Sequence, residues 1–321
     1  MSRLPSAPVA AVEPEPAPHL ATRYAPLRPV DLRATLGPLV RGTGDPTARW
    51  EPGGLWRTFG TPFGPATVYL TQSSREVEAV AWGPGAQWAI DGVPELLGAG
   101  DDWAELDVSA YPVLVEVRRR RAGLRLTRTR RVFEALMPAV IEQRVTSLDA
   151  YRCWSRMVRR FGDPAPGPAP EGMRVCPAAE TVQRIPSWEW HTAGIDPGRA
   201  RTIVGAAGVA DALERTTRHD RAEADKARTA MRSLPGIGVW TAAETAQRAH
   251  GDPDAVSFGD YSLAAIVGQV LIGTPVDDDG MLELLEPWPG QRQRVVRLVL
   301  ASGIMPPRRA PRARIEDHRH R

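Results

Sequence analysis

Residues 234–241 read Leu-Pro-Gly-Ile-Gly-Val-Trp-Thr, and Asp260 follows downstream, just ahead of an apolar segment. Before this stretch, Ala227, Ala230, Met231 and Leu234 recur at helical spacing. Pro235, Gly236 and Gly238 break that helix, because proline has no amide to donate and glycine accepts positive φ. After it, Val239, Ala242, Ala243 and Ala246 give a small-residue face for a second, closely packed helix. A helix, a tight glycine hairpin and a second helix leave several backbone N–H groups unpaired at one point. Such amides, with the positive end of the second helix behind them, suit a phosphate. The turn taken alone fits equally an ordinary αα-hairpin closed by Pro-Gly.

The segment 234–263 resembles the helix–hairpin–helix DNA glycosylases, and within that superfamily the alkylpurine (3-methyladenine type II) branch. Ser257-Phe258-Gly259-Asp260-Tyr261-Ser262-Leu263 fits the loop that carries the family's essential aspartate, with Asp260 as the catalytic match. Asp252 and Asp254, in a Gly-Asp-Pro-Asp turn, are weaker candidates. Phe133-Glu134-Ala135-Leu136 through Ile141-Glu142-Gln143-Arg144-Val145-Thr146 looks like the family helix that ends in a Gln-x-Val-Ser/Thr turn. Leu284 to Gly290, with Val295, Leu298 and Val299, looks like the closing helix pair. The likeness covers residues 125–304; before residue 110 it is one of arrangement only. Branches with lyase activity carry a lysine where this chain has Trp240, so the resemblance implies a monofunctional enzyme that removes a base and leaves the strand intact.

Composition sets the outer bounds. The 321 residues suffice for a substantial core and two domains, and 42% hydrophobic with 25% charged residues is ordinary for a globular chain. The formal net charge is +3, and arginine dominates the basic side, a balance compatible with nucleic acid without establishing it. Cys153 and Cys176 cannot supply the four thiolates of an iron–sulfur cluster, and the six histidines show no metal-ligand spacing, so neither metal nor cofactor is expected. No apolar run reaches the length of a membrane span and no signal pattern opens the chain, which predicts a cytoplasmic, nucleoid-associated protein.

Along the chain, residues 1–25 are rich in proline, alanine and glutamate and are expected to be disordered. Residues 26–110 read as a small α+β domain: Asp31 to Leu36 suit a short capped helix, and 55–59, 66–70 and 77–82 are β-prone runs punctuated by Gly60, Pro62, Gly64, Pro65 and Gly83-Pro84-Gly85. From 111 to 305 the pattern is helical. An amphipathic helix is expected through Val132, Leu136, Ala139 and Val140, another from Tyr151 to Phe161, and others at 197–215, 221–233, 239–249, 261–272, 280–286 and 290–302. Residues 306–321 form a basic tail, either a solvated terminus or a weak electrostatic attachment to DNA. The expected fold is therefore mainly α: a helix–hairpin–helix glycosylase domain preceded by a small α+β domain.

Hydrolysis of an N-glycosidic bond passes through a state with positive charge on the sugar. A fixed carboxylate stabilises that charge and can orient or deprotonate the attacking water. Asp260 suits both tasks, and it also suits the plainer one of capping the helix near Tyr261; the two can coexist. A base inside a duplex must be extruded and its gap filled. By resemblance, Gln143 and Arg144 occupy the turn that inserts the wedge, with Thr146 beside them among the DNA-contacting residues; Arg144 stands where close relatives have a neutral side chain, and it also fits a surface arginine on a phosphate. Pro235, Gly236, Ile237, Gly238 and Val239 form the expected phosphate anchor.

Alkylated purines are often cationic, hence good leaving groups, and aromatic faces favour such rings. Trp240 is the first candidate for the pocket wall, Tyr261 and Trp288 come next, and Trp188 and Trp190 are secondary. Glu244 or a neighbour replaces the family's tyrosine on the second helix. Arg118 to Arg121, followed by Arg125, Arg128, Arg130 and Arg131, read as a solvated face or as contacts to the DNA backbone. The expected partner is double-stranded DNA containing a damaged base, bound by a monomer. Two other readings are a non-catalytic helix–hairpin–helix DNA-binding protein and a glycosylase for oxidised or deaminated bases.

Overall fold

The computed structural model describes residues 19–218 and 223–307; the expectations for residues 1–18, for 221–222 and for the tail from 308 lie outside the described residues. Five strands, β1 (His19–Tyr24), β2 (Ala48–Glu51), β3 (Gly54–Thr61), β4 (Gly64–Ser73) and β5 (Glu76–Trp82), form one antiparallel sheet in the order β1-β5-β4-β3-β2. The β-prone runs become the three central strands. Residues 19–24 correct an expectation: placed by composition in the disordered N-terminus, they pair with β5 from His19↔Trp82 to Tyr24↔Val77. An exposed edge strand carries little hydrophobic alternation, and its hydrogen bonds come from a partner distant in sequence.

One face of the sheet packs on α1 (Leu32–Leu36), α2 (Ala86–Asp91) and α3 (Val93–Leu96). Asp31 caps α1, its Oδ1 accepting from the Ala34 amide at 2.9 Å. The other face carries Trp56, stacked on Tyr69 at 4.4 Å and on Trp82 at 5.5 Å between ring centroids. Met173, Ala165 and Ala169 cover these rings, so the proline-rich loop 163–175 serves as the second cover of the sheet. Main-chain bonds tie the loop down: Arg174 N donates to Pro46 O at 2.7 Å, and Thr58 Oγ1 donates to Arg174 O at 2.8 Å.

The described residues that remain are mainly helical: α4 (Pro112–Arg120), α5 (Val132–Ile141), α6 (Ser147–Phe161), α7 (Ala179–Gln183), α8 (Ser187–Ala193), α9 (Pro197–Ala207), α10 (Ala210–Arg215), α11 (Ala224–Arg232), α12 (Val239–Ala249), α13 (Leu263–Ile272), α14 (Asp278–Leu285) and α15 (Arg292–Ala301). The single helix expected over 197–215 is split, ending at Gly208 and restarting after Val209. Two cores hold this part. One joins α5, α6, α8, α9 and the hairpin; the other joins α4 with α13, α14 and α15.

Helix α5 is buried on every side, not amphipathic as its pattern suggested. The reason is Glu134, whose Oε1 receives Arg57 Nη2 from β3 at 2.5 Å and whose Oε2 accepts the Gly60 amide at 3.2 Å. A polar residue that meets its partner across the sheet–helix junction goes inside without an unpaired charge. α5 is thereby the central post, and its C-terminal turn reaches the hairpin.

Candidate active site

The hairpin is built as its residues demand. α11 ends at Ser233, the Ile237 amide donates to Leu234 O at 3.1 Å, and Gly236 has φ +84°. A Cβ on Gly236 would lie 2.0 Å from Thr202 Oγ1 on α9, so that position needs glycine for both conformation and space. Ile237 plugs into the helical core while Pro235, Gly236, Gly238 and Val239 face solvent. Gly238, extended, is the N-cap of α12 and brings no side chain to the first-turn amides of Val239, Trp240 and Thr241. An uncapped N-terminus with no acid in its first turn leaves donors and a positive dipole end facing solvent.

The turn after α5 docks on this hairpin. Gln143 Nε2 donates to Gly236 O at 3.0 Å and to Thr241 Oγ1 at 2.8 Å. Next to it Arg144 is exposed and held at φ +56°, an uncommon conformation for a residue with a Cβ. Thr146 N-caps α6: its Oγ1 accepts from Asp149 N at 3.3 Å and donates to Asp149 Oδ2 at 2.7 Å. Val145 and Leu148 are exposed beside it.

Asp260 sits after Gly259, whose φ is +86° and whose amide donates to Asp278 Oδ2 at 2.7 Å. The carboxylate divides its two oxygens. Oδ1 accepts from Ser262 N at 2.9 Å, Leu263 N at 3.0 Å and Ser262 Oγ at 3.3 Å, at the start of α13. Oδ2 accepts the indole N–H of Trp240 at 3.2 Å. Cap and partner of the hairpin helix are thus one group, partly buried, with fully exposed Tyr261 next to it.

A second bridge lies one turn along α12. Ser257 Oγ donates to Glu244 Oε1, and Gln247 Nε2 donates to Ser257 Oγ at 2.8 Å and to Ala255 O at 2.9 Å. Glu244 Oε2 accepts from Arg248 Nη1 at 2.7 Å. Burial would lower the pKa of Arg248, but the charges of Glu244 and Glu142 and the Glu244 hydrogen bond outweigh it and leave the pKa raised. The loop bearing Asp260 is therefore fixed to α12 at Trp240, Glu244 and Gln247.

Other candidates fall elsewhere. Trp288 is a correction: it is 6% exposed in the core, tilted against Tyr111, with its Nε1 donating to Asp107 O at 2.5 Å, so it lines no pocket beside Trp240. Trp190 is buried in the other core, and Trp188 is exposed on α8. Asp252 pairs with Arg228, while Asp254 Oδ2 pairs with Arg292 Nη1 at 2.6 Å, so both are committed to the scaffold. The basic run is absorbed only in part, since Arg119, Arg120 and Arg121 stay exposed, as the solvated-face reading expects. Arg118 Nη2 donates to Trp103 O at 2.7 Å, Arg119 and Arg120 pair with Glu116, Arg130 lies 4.1 Å over the Trp88 ring, and Arg131 pairs with Glu214. Sequence reasoning missed the grip of Gln143 on the hairpin and the buried Arg57–Glu134 pair, neither of which has a local signal. Among the described residues no group of His, Cys, Asp and Glu could hold a metal ion, and no helix is long and apolar enough to cross a membrane.

Comparison with known proteins supports the resemblance in sequence and in fold. No family model matches the sequence. The chain is 31% identical over 164 residues to the probable bifunctional transcriptional activator/DNA repair enzyme AlkA of Mycobacterium tuberculosis, in two strains; the match covers 49% of this chain and 31% of that protein. The chain thus spans less than a third of the curated relatives it matches. In structure it is similar to a 3-methyladenine DNA glycosylase from Archaeoglobus fulgidus, with TM-score 0.70 and 18% identity, covering 88% of this chain and 98% of that one. It is also similar to an 8-oxoguanine glycosylase/lyase from Clostridium acetobutylicum bound to double-stranded DNA, with TM-score 0.65 and 13% identity, over 85% of this chain and 91% of that one.

Proposed function

From a chain that has the fold of the helix–hairpin–helix DNA glycosylases and shares sequence with a member of their alkylpurine branch, we propose a monofunctional DNA glycosylase that hydrolyses the N-glycosidic bond of damaged, alkylated purines. The observation that carries the proposal is the hydrogen bond from Trp240 Nε1 to Asp260 Oδ2. It places an aromatic face, a carboxylate and the open amides of one helix N-terminus side by side.

In this reading the amides of Gly238, Val239 and Trp240 take a phosphate of the damaged strand, which sets the register of the duplex. Arg144, raised on its left-handed backbone beside the hairpin, enters the gap left by the extruded nucleotide. The base stacks over the indole of Trp240. Because Trp240 and Asp260 touch, it lies across the pair, not between them. A cationic purine is attracted to an aromatic face by about 0.5–2 kcal/mol and needs little acid help to leave. Asp260 Oδ2 then stabilises the positive sugar and holds the attacking water, while Oδ1 stays bound to the start of α13 and fixes the group.

Hydrolysis without strand cleavage has support in the sequence. Lys226 is the one lysine of the chain; it lies on α11, bonded to Glu223, and Trp240 occupies the site at which lyase branches carry their amine. The test is release of free base from duplexes holding 3-methyladenine, 7-methylguanine, 8-oxoguanine or a deaminated base, with enzyme in excess. Excision of the alkylated bases with an intact abasic strand supports the proposal. Excision confined to 8-oxoguanine or deaminated bases would reassign the substrate, and DNA binding without release of any base would leave a binding protein.

A further inference from the structure

Away from this site, a cavity of about 20 Å³ lies where four parts of the chain meet: the C-terminal end of α1, residues 125–127, the end of α12 and the first turns of α15. It is roughly the size that holds one water-sized particle. Its lining is cationic, with Arg125, Arg248 and Arg297 around it, together with Thr35, Thr127 and Gln293. Arg248 is matched by Glu244. The hydrogen bonds of the other two go to main-chain carbonyls: Arg125 Nη1 to Leu124 O at 2.8 Å and Arg297 Nη2 to Ala34 O at 2.6 Å.

The carboxylate that could serve them, Asp101, is already shared. Its Oδ1 accepts two bonds from Arg294, and its Oδ2 accepts from Trp103 Nε1 and Leu126 N. Arg248 and Arg294 are thus matched by Glu244 and Asp101, while neither Arg125 nor Arg297 is hydrogen-bonded to a carboxylate. Burial above all, and then the charge of Arg248, push the pKa of Arg297 down to about 10, against the opposing charges of Glu244 and Asp101. Gln293, only 3% exposed, has its Oε1 buried without a partner. Turning that amide by half a rotation presents an NH₂ donor instead. An apolar site of this size would stay dry; one lined by cations, hydroxyls and an amide will not.

We infer that this cavity binds a small monovalent anion of halide size, held by Arg125, Arg297 and Gln293, and that the anion joins the sheet region to helices α12 and α15. The inference is independent of the proposed enzymatic activity. The probes are chloride and bromide on the full chain, against gluconate at equal ionic strength. Gluconate is too large to enter. Chloride is expected to raise the melting temperature saturably, by about 2–6 °C. Crystals soaked in bromide should show an anomalous peak within contact of Arg125 and Arg297. Gln293→Glu supplies the negative charge covalently, so it should raise the melting temperature in gluconate and abolish the chloride response. A site filled by water alone gives no bromide peak and no difference between the salts, and overturns the inference. A chloride response that persists undiminished in folded Gln293→Glu also overturns it. Should that variant not fold, the bromide map of the unsubstituted protein decides.

Discussion

Asp260→Asn separates the two jobs that one carboxylate holds. The replacement keeps an oxygen able to accept from Ser262 N and Leu263 N, bonds of 2.9 and 3.0 Å, and asparagine caps helices as well as aspartate does. The other position becomes an NH₂ facing the indole N–H of Trp240 across 3.2 Å, two donors with no acceptor between them. Flipping the amide is worse, since it sets the NH₂ against two main-chain donors. One lost hydrogen bond to a charged group in a half-buried place costs about 1–2 kcal/mol, or about 2–6 °C in melting temperature for a chain this long. The effect on chemistry is larger. Removing one fixed group that stabilises transition-state charge costs about 3–4 kcal/mol, or about 10²–10³-fold in rate. The assay is single-turnover release of 7-methylguanine from a duplex, with DNA affinity and melting temperature measured on the same preparation. The expected result is a rate lower by about 10²–10³-fold, with affinity unchanged or slightly tighter because a negative charge near the backbone has gone. A folded variant that keeps its rate within about tenfold would show that Asp260 is only a cap, and the mechanism would fall.

Three further outcomes follow from other parts of the structure. Gly236→Ala should weaken DNA binding and lower stability by about 1–3 kcal/mol, since a Cβ at φ +84° meets Thr202 Oγ1; urea unfolding and a binding titration measure both. Glu134→Leu leaves Arg57 charged and buried without its partner and should cost about 3–5 kcal/mol, while replacing Arg57 and Glu134 together by Met and Leu should recover most of it, as read by denaturation. The hydrogen bond from Arg28 holds the Asp102 carboxyl at about 2 against an ordinary 3.8, so its contribution is present above 3.8 and is lost as pH falls through about 2. Arg28→Ala should therefore differ from the unsubstituted protein in melting temperature near pH 5, with the gap closing as the pH drops below 3.8, and a gap that widens in acid would contradict the pairing.

What could be read in advance was whatever makes a local demand on the backbone. Pro235-Gly236-Ile237-Gly238 admits few conformations, and Asp31 before an apolar run is a local cap, so both were legible. The central strands were legible from their β-branched and aromatic content. β1 and β2 were not, because edge strands borrow their order from neighbours far away in sequence. Spacing placed Asp260 after the hairpin but could not say that one oxygen faces α13 and the other Trp240. Trp288 shows the opposite limit: a tryptophan in a matching segment is assigned to a pocket or a core only by the side of the turn between α14 and α15 on which it falls, and it falls inward, against Tyr111. The run Arg118 to Arg121 reads as a charged surface, and Arg119, Arg120 and Arg121 form one; only Arg118 turns inward, to Leu106 O and Trp103 O, acceptors that the fold supplies and the run itself cannot show.

The loop at 163–175 that covers Trp56 and Trp82 comes from a point about ninety residues beyond the end of the sheet. During synthesis the strands leave the ribosome with their tryptophan face bare, and it stays wet until that later segment emerges. The sheet is therefore poorly suited to excision as a freestanding fragment. A chain stopped before residue 163 would carry a sticky aromatic stripe, and aggregation of such fragments would be its signature.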